Sequence, residues 1–212
     1  MAEVVIVDYG CGNIQSLQRA LKRVGVSCEY TSNPKTIRQA KKVILPGVGS
    51  YSTGMDSLEE MHLSEVIKDY VSSGKPLLGI CLGMQLLLDY SEEFGRHKGL
   101  GIVHGSVTRF MPNDNSKVPH TGWNSIEIPY GNEIKSWNDQ ILSSINPGKD
   151  YYFVHSYMVK TSKKSNTLAE TSYGGNNFSS IIRNNNVYGC QFHPEKSGQI
   201  GSQFLENFVN IK

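Results

Sequence analysis

Residues 77–85, with the sequence LLGICLGMQ, decide the fold that this chain predicts. Residues 77–80 have the apolar character of a buried strand, and residues 83–90 have the pattern of a helix. A strand that passes through a tight turn directly into a helix is the repeating unit of a parallel sheet covered by helices. Cys81 stands at the turn, with a glycine two positions before it and another two positions after it.

The residues before this turn repeat the same alternation. Apolar runs at residues 4–7 and 42–45 predict two further strands. Helical spacing at residues 14–24 and 55–71 predicts two helices, and Gly25 and Gly74 supply their stop signals. The first ninety residues therefore predict a parallel sheet with helices on both faces.

The residues after the turn have mostly strand character, interrupted by turn residues, and end in a helical pattern at residues 200–211. The predicted strands cover residues 102–110, 123–128, 151–159, 167–171, 180–182 and 187–192. We therefore expect one α/β domain over residues 1–212, with a central, mostly parallel mixed sheet, flanking helices and additional antiparallel strands.

Composition narrows the possible partners and the location. The 212 residues are 38% hydrophobic and 19% charged, with a net charge of +2, so we expect no nucleic-acid partner. The chain has neither a basic, apolar leader at its start nor an apolar run of about 20 residues, so we expect no membrane and a cytoplasmic location. Four scattered cysteines do not suggest a disulfide scaffold.

The glycine-flanked turn makes Cys81 a candidate nucleophile. Glycines without a Cβ let the strand and helix approach closely, and the helix aims its first amides at the sulfur, which favours the reactive thiolate. The backbone N–H of Leu82 is then placed to meet an oxyanion. The alternative is a buried structural cysteine, which is common among free cysteines.

A cysteine nucleophile needs a base, and residues 191–195, QFHPE, offer one. His193 follows a predicted strand, and Glu195 is close enough in sequence to accept a hydrogen bond from the imidazole and orient it. The alternative is a turn histidine beside an exposed glutamate. The spacing of Cys190 and His193 could suggest a metal pair, but two ligands are weak evidence and we expect no metal and no cofactor.

The stretches GICLGMQ and FHPE are the two signatures of the class I glutamine amidotransferases, which this chain resembles. Further stretches resemble the glutaminase subunits of imidazole glycerol phosphate synthase, and the match extends along nearly the whole chain. They are DYG and GNI at residues 8–14, LPGVG at 45–49, VPHTGWN at 118–124, FVHSY at 153–157 and HPEKS at 193–197. The resemblance implies the class I amidotransferase fold, which is flavodoxin-like, and hydrolysis of L-glutamine to glutamate and ammonia.

The resemblance also implies a role for individual residues. Cys81 would be the nucleophile, His193 the general base and acid, and Glu195 its orienter. The oxyanion hole would use Val48, Gly49 and Leu82, and the loop at residues 46–49 would need a peptide flip to complete it. The substrate would be held by Gln85, Glu93, Ser156 and Tyr157. The surface facing a cyclase partner of TIM-barrel type would include Asn13, His120, Trp123, Tyr152 and Lys196.

Two positions depart from the family pattern. Thr121 replaces a larger apolar residue, and Ser125 replaces a residue that is commonly glutamine. These departures leave open a paralogous glutaminase that supplies ammonia for amidino sugars of surface polysaccharides. An inactive binding subunit and a cysteine hydrolase or peptidase of related fold are further alternatives.

Overall fold

The computed structural model of this chain describes residues 3–111, 117–131 and 136–211. Its helices are α1 (Ile14–Arg23), α2 (Pro34–Gln39), α3 (Tyr51–Glu60), α4 (Leu63–Ser72), α5 (Leu82–Leu86) and α6 (Gly198–Asn210). Its strands are β1 (Val4–Val7), β2 (Cys28–Thr31), β3 (Lys42–Leu45), β4 (Leu77–Ile80), β5 (Tyr90–Ser91), β6 (His97–Lys98), β7 (Gly105–Arg109), β8 (His120–Ile126), β9 (Lys149–His155), β10 (Tyr157–Thr161), β11 (Thr167–Tyr173), β12 (Asn176–Asn184) and β13 (Val187–Cys190). Within the described ranges, none of the helices combines the length and apolar character needed to cross a membrane.

A seven-stranded mixed sheet forms the centre of the molecule, in the order β11-β12-β13-β4-β3-β1-β2. The five strands from β13 to β2 are parallel, and β12 and β11 extend the sheet antiparallel. Strands β1, β4 and β13 are buried along their whole length, as expected for parallel strands covered on both faces. The prediction of a mostly parallel mixed sheet with flanking helices is confirmed.

Helices cover the two faces of this sheet and divide the core into two layers. Val4 and Ile6 of β1 face the layer that contains α1 and α6, whereas Val5 and Val7 face the layer that contains α2, α3 and α4. This alternation follows from the two-residue period of a strand. The apolar run that begins the chain therefore supplies both layers at once.

The remaining strands form two smaller sheets beside the central one. One has the order β10-β7-β5-β6, and the other is the antiparallel pair β8-β9. The prediction of one strand at residues 151–159 is wrong, because β9 and β10 separate at Ser156 and enter different sheets. The chain changes direction there without a glycine or proline, so the apolar pattern alone did not reveal the break.

The helix predicted at residues 55–71 is two helices, α3 and α4, that contact each other. His62 separates them with a left-handed backbone, φ +54°, which non-glycine residues rarely adopt. The helix predicted at residues 83–90 is the shorter α5, after which the chain turns into β5. Both errors arise because apolar spacing continues through a turn that lacks the usual breaking residues.

Strand β2 and helix α2 have no counterpart among the predicted elements. β2 is a half-exposed edge strand, so it lacks the apolar run that identified the other parallel strands. The start of α2 did carry a signal, because Asn33 caps it by accepting hydrogen bonds from the backbone N–H groups of Lys35 and Thr36, and Pro34 follows the cap.

Candidate active site

Three neighbouring parallel strands of the central sheet end at one place. β4 ends at Cys81, β3 leads into residues 46–49, and β13 leads to His193. The carboxyl ends of parallel strands are where α/β sheets gather their functional groups. The strand order therefore unites motifs that lie more than one hundred residues apart in the sequence.

The turn at Cys81 has the geometry that its flanking glycines predict. The residue adopts φ +53° and ψ −112° between β4 and α5. A Cβ on Gly83 would overlap the carbonyl oxygen of Leu45, and a Cβ on Gly79 would lie 2.7 Å from the Gly83 oxygen. Both positions therefore require glycine, and the strained cysteine between them is held by close packing on both sides.

His193 and Glu195 form a buried pair beside this cysteine. The imidazole Nδ1 lies 2.8 Å from Glu195 Oε1, and the two side chains are 3% and 4% exposed. A carboxylate accepts only, so Nδ1 carries the proton and donates it. The opposite nitrogen, Nε2, is buried and has no hydrogen-bond partner within the described residues. It is thus the nitrogen left to exchange a proton in the cavity.

The charge state of His193 is set by opposing influences. Burial disfavours the imidazolium and lowers the pKa, but the nearby Cys81 sulfur and the Glu195 carboxylate outweigh it and raise the pKa to about 10. A proton is therefore retained on the imidazole beside the sulfur at neutral pH. This arrangement places a positive charge beside the Cys81 sulfur.

A cavity of about 430 Å³ opens over these groups, within the size range of small-ligand sites. It brings together the sequence-predicted catalytic, oxyanion and substrate residues except Glu195, which lies behind His193. The lining includes Val48, Gly49, Cys81, Leu82, Gln85, Glu93, Ser156, Tyr157 and His193. Residues from five separate stretches of sequence thus meet around one space.

The four predicted substrate residues have defined contacts around this cavity. The buried Gln85 donates through Nε2 to the Tyr157 carbonyl at 3.2 Å. Glu93 Oε2 accepts the backbone N–H of Tyr51 at 2.5 Å, which places its carboxylate at the start of α3. The Ser156 carbonyl already accepts the N–H of Phe110. Their roles in holding a substrate remain predictions.

The loop after β3 approaches the cavity from the other side. Val48 is 42% exposed, and Gly49 has φ +107°, a conformation that favours glycine. The loop is held two residues before Val48, where the buried Tyr9 hydroxyl donates to the Pro46 carbonyl at 2.5 Å. The assignment of Val48, Gly49 and Leu82 to an oxyanion hole remains a prediction.

The predicted partner surface is partly continuous. Trp123 is 57% exposed, and its ring centroid lies 6.1 Å from that of Tyr152 in an edge-to-face arrangement. The Lys196 ammonium lies 5.7 Å from the Tyr152 centroid. Asn13 is exposed at the start of α1 and lies with Val48 and His193 around a smaller pocket. Tyr152 adjoins the site directly, because its carbonyl accepts the backbone N–H of His193 at 2.9 Å.

His120, which the resemblance places on the surface facing the partner, is buried in this chain. The imidazole is 2% exposed and stacks between Phe153 and Tyr173, with centroid distances of 5.0 and 4.0 Å. Its neighbours on β8 alternate outward because strand side chains point to opposite faces. His120 and the exposed Trp123, three positions apart, therefore lie on opposite faces of β8.

Sequence reasoning assigned no role to Gln191, yet it lies against Cys81. Its Nε2 is 3.8 Å from Cys81 Sγ, and the residue is fully buried. The available signal was its position two residues before His193 at a strand end, where alternate residues share a face. No group of three or more potential metal ligands is found among the described residues.

Comparison with known proteins matches residues 5–211 to the model of the family "Glutamine amidotransferase class-I". The chain belongs to this family. Solved structures agree with the fold: PurLQS from Thermotoga maritima superposes with a TM-score of 0.75 at 17% identity, covering 99% of this chain and 98% of that one. A structure described as glutamine amidotransferase gives a TM-score of 0.70 at 20% identity, covering 96% and 98%.

Relatives of this amidotransferase share its whole length. Imidazole glycerol phosphate synthase subunit HisH 1 of Legionella pneumophila (strain Lens) is 42% identical over 100% of both chains. Subunit HisH of Syntrophotalea carbinolica is 44% identical over 98% of this chain and 100% of its own, and that of Methanosarcina acetivorans is 43% identical over 100% of both. The resemblance drawn from the motifs is thereby confirmed.

Proposed function

We propose that this chain is the glutaminase subunit of imidazole glycerol phosphate synthase, which hydrolyses L-glutamine and supplies the ammonia to a cyclase subunit in histidine biosynthesis. One observation carries the chemistry: the strained Cys81 and the His193–Glu195 pair meet at one cavity of suitable size. The assignment to histidine biosynthesis rests on the relatives that match over the full length.

The first half of the reaction forms a thioester. The Cys81 thiolate attacks the side-chain carbonyl carbon of glutamine, and the C=O electron pair moves onto oxygen. His193 then donates the proton on Nε2 to the leaving nitrogen, the C–N bond breaks, and ammonia departs. Its raised pKa keeps that proton available at neutral pH.

The second half regenerates the enzyme. His193, now neutral, removes a proton from water as the water attacks the thioester carbon. The C–S bond breaks, glutamate leaves, and the thiolate–imidazolium pair returns. Throughout, the 2.8 Å contact with Glu195 holds the imidazole so that Nε2 faces the reacting atoms.

The oxyanion formed in both halves needs hydrogen-bond donors. We assign this role to the backbone N–H groups of Leu82, at the start of α5, and of Val48, on the loop after β3, both of which line the cavity. Gly49 beside Val48 has the conformational freedom for a peptide rotation there. Gln85 and Glu93 would meet the polar groups of the substrate glutamine.

The partner in this proposal is a cyclase subunit of TIM-barrel type, which covers the mouth of the site. Ammonia released into water would be protonated and lost, so the product has to pass directly between the subunits. The exposed patch of Trp123, Tyr152 and Lys196 beside the cavity supports this docking face. The cytoplasmic location stays a prediction.

Replacement of Cys81 tests the chemistry. We expect Cys81→Ala to abolish glutamate release from glutamine in the presence of the cyclase subunit. Cys28→Ala, on the edge strand β2, is the matched control and should retain full activity. Unchanged turnover by Cys81→Ala contradicts the proposal at its first step.

Complementation tests the pathway separately. The gene should restore growth without histidine to a strain that lacks its own glutaminase subunit, whereas the Cys81→Ala variant should not. A folded, expressed chain that releases glutamate but fails to complement would favour the paralogous role in amidino-sugar synthesis. The two assays therefore separate the reaction from its use.

A further inference from the structure

Gln191 is a buried polar side chain beside Cys81 to which the proposed reaction assigns no role. It is fully buried, and its amide lies between Gln85 and Cys81. An amide can present either its oxygen or its nitrogen to a neighbour, so its effect on the sulfur depends on which way it is turned. The surrounding hydrogen bonds decide this orientation.

The Tyr157 carbonyl fixes the nearer part of the network, because a carbonyl only accepts. Gln85 must therefore present Nε2 to it, at 3.2 Å. The same Nε2 donates to Gln191 Oε1 at 3.0 Å. Gln191 consequently turns its own Nε2 toward Cys81 Sγ, at 3.8 Å, as a donor.

The same carbonyl also fixes two buried histidines. His155 Nδ1 lies 2.7 Å from the Tyr157 oxygen and must carry a proton to donate. In a neutral ring, His155 Nε2 is then an acceptor, and it lies 3.1 Å from His120 Nδ1. His120 must therefore carry its proton on Nδ1 as well and expose Nε2 as an acceptor.

The far end of the network is anchored independently at β8. The backbone N–H of Ser125 can only donate, and it lies 2.8 Å from Asn124 Oδ1. Asn124 therefore presents Nδ2 both to the Ser172 carbonyl at 3.1 Å and to His120 Nε2 at 3.3 Å. The Tyr157 carbonyl at one end and Asn124 at the other therefore require the same proton positions on His155 and His120. No two donors face each other between them.

Both rings have to remain neutral for this arrangement. Burial lowers the pKa of His120 to about 4. Burial also lowers that of His155 to about 3, although its bond to the Tyr157 carbonyl opposes the effect. At neutral pH each ring therefore has one proton, which the backbone anchors assign to Nδ1.

We propose that Gln191 is a further residue of the active site, a donor to Cys81 Sγ whose amide is held in the donating orientation by Gln85, which the Tyr157 carbonyl orients in turn. The inference deepens the proposed function, because it adds a donor to the same nucleophile. A donor to sulfur stabilises the thiolate before attack. The Tyr157 carbonyl also accepts from His155, and through His120 this second set of hydrogen bonds reaches Asn124 on β8, the strand that carries the exposed Trp123.

Nitrogen NMR on the unmodified chain tests the direction of donation. With histidines labelled by ¹⁵N, long-range proton–nitrogen spectra distinguish the two neutral tautomers. We expect His120 and His155 to be neutral and protonated on Nδ1 at pH 7. A proton on Nε2 of either ring would contradict the direction of donation between Asn124 and the Tyr157 carbonyl.

Alkylation tests the donor at the sulfur without requiring turnover. Iodoacetamide labelling, read by mass spectrometry, compares Cys81 with the half-buried Cys11 in the same sample. Gln191→Glu replaces the donor by a carboxylate and should lower the Cys81-to-Cys11 ratio about tenfold. Gln191→Met removes the donor without adding charge and should lower it less. Gln203→Glu, which loses a similar amide bond on α6, should leave it unchanged.

The outcomes separate this inference from the proposed function. Glutamate release by the unmodified chain with its cyclase partner, together with an unchanged labelling ratio in both Gln191 variants, overturns the inference alone. No glutamate release, together with the expected labelling, removes the function and leaves the donor in place. In an active enzyme, Gln191→Met should lower kcat more than it raises KM, because the donor acts on sulfur rather than on bound glutamine.

Discussion

Replacement of Glu195 by Gln changes one charge behind the proposed base and keeps the shape of the side chain. The amide oxygen of the new residue can still accept from His193 Nδ1, so the ring keeps its orientation. The substitution removes the carboxylate charge that helps to raise the pKa of His193. It therefore separates the electrostatic role of Glu195 from its positioning role.

The size of the effect follows from the burial of the pair. The Nδ1–Oε1 distance is 2.8 Å, and side-chain exposures of 3% and 4% leave little water to screen the charge. A hydrogen bond to a charged group contributes about 1.5–3 kcal/mol, which corresponds to roughly 10- to 150-fold in rate. We expect kcat/KM for glutamine to fall by a factor in this range.

The pH profile of the activity tests the direction in which the pKa of His193 changes. The wild-type enzyme keeps its imidazolium until the pH approaches the His193 pKa of about 10. Without the carboxylate the pKa is lower, so the alkaline loss of activity should begin at lower pH in Glu195→Gln.

Initial rates of glutamate release from pH 6 to 10, measured with the cyclase subunit present, provide the assay. Glu206→Gln, an exposed carboxylate on α6, is the matched control and should match the wild type throughout. A Glu195→Gln enzyme with an unchanged rate and an unchanged alkaline limb would refute the electrostatic argument, and with it the role of Glu195.

Three further predictions concern stability and the loop after β3. Gly83→Ala should lower the free energy of unfolding by about 2 kcal/mol or more, because its Cβ would overlap a backbone carbonyl. In Gly74→Ala the Cβ meets no atom within 4 Å, so this control should lose only about 1 kcal/mol, for its positive φ. Urea unfolding compares the two variants. Burial lowers the pKa of His120 to about 4 and of His155 to about 3, below their ordinary value near 6.5, so the unfolded chain binds protons first on acidification. Their contribution to stability is present above pH 6.5 and is lost as the pH falls toward 4, with a slope of up to about 1.4 kcal/mol per pH unit for each ring; flat urea midpoints between pH 6.5 and 4.5 would contradict this. Tyr9→Phe removes the hydroxyl that holds the loop and should lower kcat severalfold, and it should destabilise the chain by about 1–3 kcal/mol because the buried Pro46 carbonyl loses its donor. An equal kcat in the folded variant would show that the loop needs no such anchor.

Local pattern predicted the parts of the fold that depend on burial over a few residues. β1, β3 and β4 were predicted with the bounds that the structure has, because fully buried parallel strands are short apolar runs. Boundaries that depend on an unusual backbone conformation were not predicted. The left-handed His62 and the change of sheet at Ser156 leave no mark in an apolar pattern.

The candidate site likewise has features that the sequence predicted and features that it did not. The identities of Cys81, His193 and Glu195 were readable from their short motifs, and the structure brings the three together because β4 and β13 are adjacent. The orientation of individual side chains was not readable. His120 and Trp123 are three residues apart on β8, yet one is buried and the other is exposed.

By itself, the sequence determined the alternation of strand and helix, the glycine-flanked turn at Cys81 and the family to which the chain belongs, because these depend on neighbours within a few residues. The tertiary structure decided what depends on contacts across the chain. It paired β13 with β4, buried His120 between two aromatic rings, and turned the Gln191 amide toward Cys81. A hydrogen bond has a direction only when both partners are in place, and residues 81 and 191 become partners only after the sheet has formed.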